Sequence, residues 1–358
     1  MKQKNVLAIL LSMLLLTGCA PKESVQETTE PTQTETTQVT EVATLPTETV
    51  PQTDDKQVYF HPLTGETLTA PYSGARPYAV MVNNIWEALP QCGVSQADII
   101  YEILAEGGIT RTMAIFTSVE DETPVGSIRS LRPYYLSVAR AYDASVVHAG
   151  GSEQAYADLS GSQWDHIDGI RDNGDHYYRI QERIDNAGYE HSLFIHAKDM
   201  KDYAGEEDCR LTWENSSPYF TFSNQTMTDG EDAQQVKVHF SQKSTSFAYK
   251  QEDGMYYAEE YDEPWIDGNT EQQQSFRNLL VLRAEIQTID DVGRLDVTLV
   301  GSGEGYLIRD GKCVPLTWSR GGEDAPFLYT LEDGTPASFG PGRTYVAVIH
   351  TDSNLELE

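Results

Sequence analysis

Three arginines within residues 111–132 have the spacing of an anion-binding site. Arg129 and Arg132 lie three residues apart, immediately before Pro133, a residue that favours the first turn of a helix. Guanidinium groups bind phosphate or carboxylate through paired hydrogen bonds, and a helix start adds backbone N–H donors. We therefore predict a pocket for a small anion, with Arg111 as a third donor.

Acidic side chains near these arginines leave two alternatives open. Alternation of side chains places Asp98 and Glu102 on one face of a predicted strand over 97–105. In the first alternative, the arginines form salt bridges to these carboxylates and to Glu106, which would fix the end of a sheet. In the second, Asp98 and Glu102 hold a divalent metal ion.

A histidine, two glycines and a serine follow another predicted strand. His148 ends the apolar segment, Gly150 and Gly151 would let the backbone approach a ligand closely, and Ser152 is typical of a helix N-cap. We predict that these four residues belong to the same site as the arginines. For His148 the alternative is a hydrogen-bonded structural role.

Alternating strands and helices are predicted to position these residues. Strands are predicted over 97–105, 110–117, 125–128 and 144–148. One helix is predicted to begin at Pro133 and a second after Ser152. Ligands bind at the strand ends of such open sheets.

The pattern then changes to short strands separated by Gly and Asp-Gly turns. The predicted fold class is α+β with mixed sheets: an N-terminal α/β domain over 58–227 and a smaller, mostly-β domain over 228–358. The acidic segment 228–232 is the predicted exposed joint, in a boundary between Phe222 and Gln235. The segment 301–305 lacks the Lys and Ser/Thr of a phosphate loop and indicates a turn.

The first 57 residues read as an export signal and a tether. Residues 1–19 have a basic start, a short apolar core and a bacterial lipobox that ends at Cys19. The lipobox implies lipidation of Cys19 and anchoring at the outer face of the cytoplasmic membrane. Residues 20–57 are rich in Thr, Glu and Pro, which predicts a disordered acidic tether.

Net charge and cysteine usage limit the classes of partner. The chain carries −31, of which the signal contributes +2 and the tether −6, so the remainder carries about −27. This charge excludes nucleic acid as a partner. Cys92, Cys209 and Cys313 predict buried free thiols, with a Cys92–Cys209 disulfide as the alternative.

The sequence lacks the common catalytic motifs. The sequence contains no GxSxG elbow, no Walker loop and no Cys/His metal spacing. The acid- and histidine-rich segment 165–176 fits neither an EF-hand nor a zincin and indicates a solvated loop. We therefore expect a protein that is not an enzyme and that needs no cofactor.

Several segments, in order, resemble the YerB-like family of bacterial surface lipoproteins. The resemblance covers residues 62–350 and includes RPYAVMVNN at 76–84, QADIIYEILAEGGITR at 96–111, VGSIRSLRPYY at 125–135 and VHAGGSEQA at 147–155. It implies a two-domain surface lipoprotein without an established biochemical activity. The sequence departs from the family pattern at His61 and around His191, which makes these positions weaker candidates for chemistry.

Three functions remain open from the sequence. The first is a membrane-anchored extracytoplasmic lipoprotein that binds a small anionic ligand, a cell-envelope ligand or a partner protein. The second is a magnesium-dependent phosphotransferase acting on a polyprenyl-pyrophosphate glycopolymer, because the order of motifs resembles the LytR–CpsA–Psr enzymes. That resemblance would give Asp98 a magnesium role and Arg129 and Arg132 a pyrophosphate role. The third is a structural scaffold of an envelope complex.

Overall fold

The computed structural model describes residues 57–214 and 219–358. Strands of the first range are β1 (Tyr59–Phe60), β2 (Thr67–Leu68), β3 (Tyr78–Asn83), β4 (Ile99–Leu104), β5 (Thr110–Phe116), β6 (Pro124–Gly126), β7 (Ser145–His148), β8 (His166–Asp168), β9 (Tyr177–Arg179) and β10 (Leu193–His196). Its helices are α1 (Pro133–Ala141), α2 (Glu153–Ser162), α3 (Gln181–Asn186) and α4 (Ala197–Glu206), with 3-10 turns at Trp86–Ala88, Val94–Gln96, Glu106–Gly108 and Tyr189–His191.

The second range consists of strands and connecting turns. Its strands are β11 (Thr221–Phe222), β12 (Glu231–Asp232), β13 (Gln235–His239), β14 (Ser244–Lys250), β15 (Met255–Glu260), β16 (Glu263–Pro264), β17 (Ser275–Phe276), β18 (Asn278–Ala284), β19 (Ile286–Thr288), β20 (Leu295–Val297), β21 (Gly301–Arg309), β22 (Lys312–Arg320), β23 (Leu328–Leu331), β24 (Ser338–Phe339), β25 (Thr344–His350) and β26 (Leu355–Leu357). Between residues 219 and 358 the structure contains no helix.

One eleven-stranded mixed sheet runs through both halves of the chain. Its order is β12-β22-β21-β18-β25-β4-β5-β3-β7-β8, with β23 beside β22. Strand β25 pairs in parallel with β18 on one side and with β4 on the other. Strands from the C-terminal half therefore complete the same sheet that carries the predicted site.

The central sheet is covered on both faces. Apolar side chains of β4 alternate, so that Ile99, Tyr101 and Ile103 join a core with α1 and α2. Ile100 and Leu104 join a second core with α4 and with the six-stranded sheet β16-β15-β14-β13-β26, in which β17 pairs with β15. Burial on both faces explains why β4 is apolar almost throughout.

The elements predicted around the site are confirmed with small shifts at their ends. Helix α1 begins at Pro133, and α2 begins after Ser152, whose side chain accepts a hydrogen bond from the backbone N–H of Ala155 at 3.2 Å. The strand predicted over 125–128 is present in part as β6, which pairs with β10 outside the central sheet. The following residues reach the central sheet, since Ile128 bridges to Val82 and the N–H of Arg129 donates to the carbonyl of Met81 at 3.0 Å.

The turn predicted at 301–305 was also wrong, since these residues open strand β21. Their glycines allow close packing against neighbouring strands rather than a bend. A Cβ atom on Gly303 would lie 2.6 Å from the carbonyl oxygen of Arg283 and 2.6 Å from Nε1 of Trp318. Composition alone cannot separate these two uses of glycine.

Residues 56–358 form one compact unit. The predicted joint at 228–232 is exposed, but the central sheet continues across it. Whether the chain separates there into two folded domains stays a prediction. The predicted signal, lipidated Cys19 and nearly all of the tether lie outside the described residues, and none of the described helices is both long and apolar enough to span a membrane.

Candidate functional site

The predicted arginines, His148 and the glycine segment gather at one edge of the central sheet. Strands β3, β4, β7 and β8 run in the same direction, and their carboxyl ends meet at this edge. Strand β5 begins there, with Arg111 opposite Asn83. The segment 129–132 lies alongside the glycines, since Leu131 bridges to Gly151. This edge is where open α/β sheets place ligands.

Arg111 and Arg132 share one carboxylate, Glu106. Arg132 donates from Nη2 to Glu106 Oε2 at 3.0 Å and from Nε to Oε1. Arg111 Nη2 lies 3.6 Å from the same Oε2, and its Nη1 donates to the carbonyl of Ser130 at 2.8 Å. Although burial opposes it, the bonds and charge of Arg132 lower the pKa of Glu106. Two cations thus face a single ionised acid.

Arg129 binds a different acid, although it lies near Arg132. Its Nη1 donates to the carbonyl of Glu190 at 3.2 Å, and its Nη2 lies 3.6 Å from Glu190 Oε2. Burial, opposed by Glu190 and assisted by the charge of Arg132, lowers the pKa of Arg129. The Nε atom of Arg129 is buried without a hydrogen-bond partner. The three arginines therefore form one electrostatic group, the arginine cluster: Arg111, Arg129 and Arg132.

His148 is fully buried and engaged on both ring nitrogens. Its Nδ1–H donates to the carbonyl of Gly150 at 2.8 Å, which leaves Nε2 to accept from Nδ1 of His166 at 3.0 Å. Burial lowers its pKa, with the charge of Asp168 opposing. The ring is consequently neutral and positions the loop, as in the structural alternative.

The glycine segment is fixed by an aspartate. The N–H of Gly150, whose φ is +74°, donates to Asp168 Oδ1 at 2.9 Å, and the hydroxyl of Tyr156 donates to Oδ2 at 2.7 Å. A Cβ atom on Gly151 would lie 3.5 Å from the ring of Tyr156, so the backbone here runs close to that ring. The loop is thus held by side chains from β8 and α2. The solvated-loop prediction for 165–176 was wrong for Asp168, which is buried.

Asp98 and Glu102 do not meet in a metal site. Asp98 accepts from the backbone N–H and the hydroxyl of Thr117, each at 2.7 Å, near His61. Glu102 is enclosed between the two large sheets and binds Lys243 at 2.8 Å. Within residues 57–214 and 219–358, no group of three or more His, Cys, Asp or Glu side chains is placed to hold a metal ion. The predicted salt bridge from the arginines to Glu106 is confirmed, whereas those to Asp98 and Glu102 were wrong.

An open groove of about 1010 Å³ begins at Arg132, the member of the arginine cluster that lines it. Arg132 and Ser152 stand at its start, between the first turns of α1 and α2, and the β19–β20 hairpin forms the opposite wall. Each arginine that lines it is already paired with an acid: Arg132 with Glu106, Arg140 with Asp324, and Arg294 with Asp290. The acids lining the groove are Glu153, Asp158, Asp290, Asp296 and Glu323.

None of the three described cysteines lines the groove or binds the arginine cluster. Cys92, Cys209 and Cys313 are buried free thiols, which confirms that prediction. Burial raises the pKa of Cys313 to about 12, and a protonated buried thiol is unreactive.

Comparison with known proteins gives the family but no activity. The N-terminal domain model of a protein family of unknown function, DUF3048, matches residues 63–210, and the C-terminal domain model of that family matches residues 236–346. The chain belongs to this family.

One relative with a known structure extends the comparison. The chain is 29% identical to YerB of Bacillus subtilis (strain 168), which is named as a lipoprotein, over 80% of this chain and 85% of the relative. The crystal structure of YerB from Bacillus subtilis superposes with a TM-score of 0.73 at 27% identity, covering 83% of this chain and 99% of that one. The resemblance to the YerB-like family is confirmed.

Proposed function

We propose that this protein is a lipid-anchored extracytoplasmic binding protein that holds an anionic group of a cell-envelope ligand at the arginine cluster. The observation that carries the proposal is the sharing of Glu106 by Arg111 and Arg132 at the mouth of an open groove. One buried guanidinium group, that of Arg111, and one half-buried group, that of Arg132, are balanced by one carboxylate, which leaves a net positive charge that a ligand anion can neutralise. The lipobox at Cys19 and the lipoprotein name of the relative support the anchoring.

The rest of the groove limits what the ligand can be. The acids along its walls outnumber the arginines, and every arginine there is already paired. A polyanion would meet repulsion along most of its length. The proposed ligand therefore carries one anionic group at the arginine end and a neutral or amino-bearing body.

Calorimetric titration with inorganic phosphate and with pyrophosphate, at low salt, tests the proposal. Arg132→Gln should weaken binding by about 10-fold or more, because a hydrogen bond to a charged group contributes about 1.5–3 kcal/mol. Arg210→Gln is the matched control, since Arg210 also binds a carboxylate, Asp143, but at the opposite edge of the sheet.

A second variant separates binding from structural pairing. Glu106 competes with a ligand for Arg111 and Arg132, so Glu106→Gln should bind phosphate more tightly than the wild type. A purely structural pair would give a less stable protein with no gain in affinity. If the wild-type protein binds neither anion, the proposal is wrong.

A further inference from the structure

A small pocket of about 190 Å³ lies at the other end of β3 from the arginine cluster. Phe116, the last residue of β5, pairs there with Tyr78, the first residue of β3, and both residues line the pocket. Helix α4 adds Ala197 and Lys201, which lie one turn apart and therefore share a face of the helix. The pocket is thus built from the central sheet and a helix that covers it.

The walls of this pocket are mainly apolar. Ala75, Val119 and Leu211 line it together with the ring of Phe116, which is buried. Leu211 is 48% exposed, and its carbonyl accepts from the N–H of Arg76 at 2.9 Å, so its backbone is held in place. An apolar cavity of about 150 Å³ in a protein can bind benzene, and by the same proportion this pocket has room for about eight carbon atoms.

The charges at the pocket all have one sign. Its two charged lining residues are Arg76, which is buried and paired with Asp143 and Asp165, and Lys201. No acid is among the described residues that line the pocket, although the chain as a whole carries −31. The side chain of Lys201 is 51% exposed, and its Nζ lies 2.7 Å from Asp121. Such an exposed pair contributes little, so Lys201 can exchange Asp121 for a ligand anion.

We propose that this pocket binds a medium-chain fatty acid, with the alkyl chain inside and the carboxylate on Lys201. The apolar walls favour an alkyl chain, and a lysine can lay its methylene stem along an apolar surface while its ammonium group stays at the rim. An amine at the same place would be repelled by both cations. The site goes beyond the proposed function, because it lies at the opposite end of β3 and uses no member of the arginine cluster.

Calorimetric titration of the wild-type protein with octanoate, hexanoate, octanol and octylamine tests this site. Octanoate should bind most tightly of the four. Hexanoate should bind about 15-fold more weakly, because each buried methylene contributes a factor of about four in affinity. Octylamine should bind about 10-fold more weakly or worse, since its charge has the sign of Lys201. The inference is overturned if octanoate does not bind, or if either octanol or octylamine binds as tightly as octanoate.

Variants separate the carboxylate from the alkyl chain. Lys201→Gln should raise the Kd of octanoate about 5-fold and leave that of octanol unchanged. Lys198→Gln is the matched control, because Lys198 is paired with Asp202 on the same helix but does not line the pocket. Leu211→Ser should weaken octanoate and octanol alike, by about 5-fold, whereas Leu328→Ser, at an exposed leucine of β23, should change neither. Equal effects of the two lysine variants would contradict the assignment of the carboxylate.

The anion and fatty-acid sites can fail independently. Octanoate binding that survives Arg132→Gln and weakens in Lys201→Gln supports this site, whether or not phosphate binds. Octanoate binding that is lost in Arg132→Gln and unchanged in Lys201→Gln would put the carboxylate at the arginine cluster, which rejects this inference and keeps the proposed function. Phosphate binding without octanoate binding would do the same.

Discussion

The hydroxyl of Tyr345 donates to Glu102 Oε2 at 2.7 Å across the parallel pair of β25 and β4. Glu102 is completely buried, and its two oxygens accept from five side chains: Asn84, Thr110, Lys243, Thr245 and Tyr345. Lys243 also binds Glu260, whose Oε2 is buried without a partner. The sheets from both halves of the chain therefore meet on a buried cluster of one cation and two acids.

Removing the cation that binds both of these glutamates should destabilise the fold. Lys243→Met would leave Glu102 and Glu260 buried without a counter-charge, and such breaks cost about 3–5 kcal/mol. Urea unfolding followed by circular dichroism gives the free energy. Lys312→Met, which breaks the solvent-facing pair with Asp232, should cost about 1 kcal/mol or less. Equal effects of the two substitutions would contradict the importance of burial here.

The same cluster predicts a pH dependence of stability. Burial raises the pKa of Glu260 to about 7, with the charge of Lys243 opposing and that of Glu102 adding. A carboxyl with a higher pKa in the folded state binds its proton more tightly there, so its contribution falls as the pH rises from about 4.5 to about 7. Glu260→Gln should flatten the stability–pH curve in this window. Glu259→Gln, exposed and adjacent, should retain the wild-type slope.

The N-cap of α2 should have a measurable effect on stability. Ser152→Ala removes the acceptor for the N–H of Ala155 and should cost about 1 kcal/mol in urea unfolding. Ser160→Ala, on the exposed face of the same helix, is the control and should lie within about 0.5 kcal/mol of the wild type. If both variants match the wild type, the cap contributes nothing to stability.

Limited proteolysis distinguishes two separable domains from one shared sheet. Residues 228–232 are exposed, so we expect cleavage there. Because β25 pairs with β4 across the cut, the fragments should co-elute in gel filtration and separate only in denaturant. Two folded fragments that separate in native buffer would instead support the independent domains predicted from the sequence.

Lipid anchoring depends on Cys19, which lies outside the residues that the structure describes. Cys19→Ala removes the thiol that the lipobox assigns to lipidation, so the exported protein should move from the membrane to the aqueous fraction. A variant that still sediments with membranes after its signal has been removed would contradict anchoring through Cys19.

Local sequence signals predicted the elements of the site better than its contacts. Pro133 and Ser152 mark their helices through first-turn chemistry, which depends on adjacent residues. The partner of Arg129 is Glu190, 61 positions later, and Glu102 binds Lys243, 141 positions later. Such pairings follow from topology, which local patterns do not encode.

The placement of β25 between β18 and β4 sets an order in which this protein can form. The bond between Tyr345 and Glu102 joins positions 243 apart, and loops of this length close slowly. A chain emerging from its N-terminal end can pair β4 with β5 and β5 with β3, but it leaves the outer edge of β4 exposed until β25 has been made. The central sheet is thus assembled late, and aggregation or capture by chaperones competes with that step.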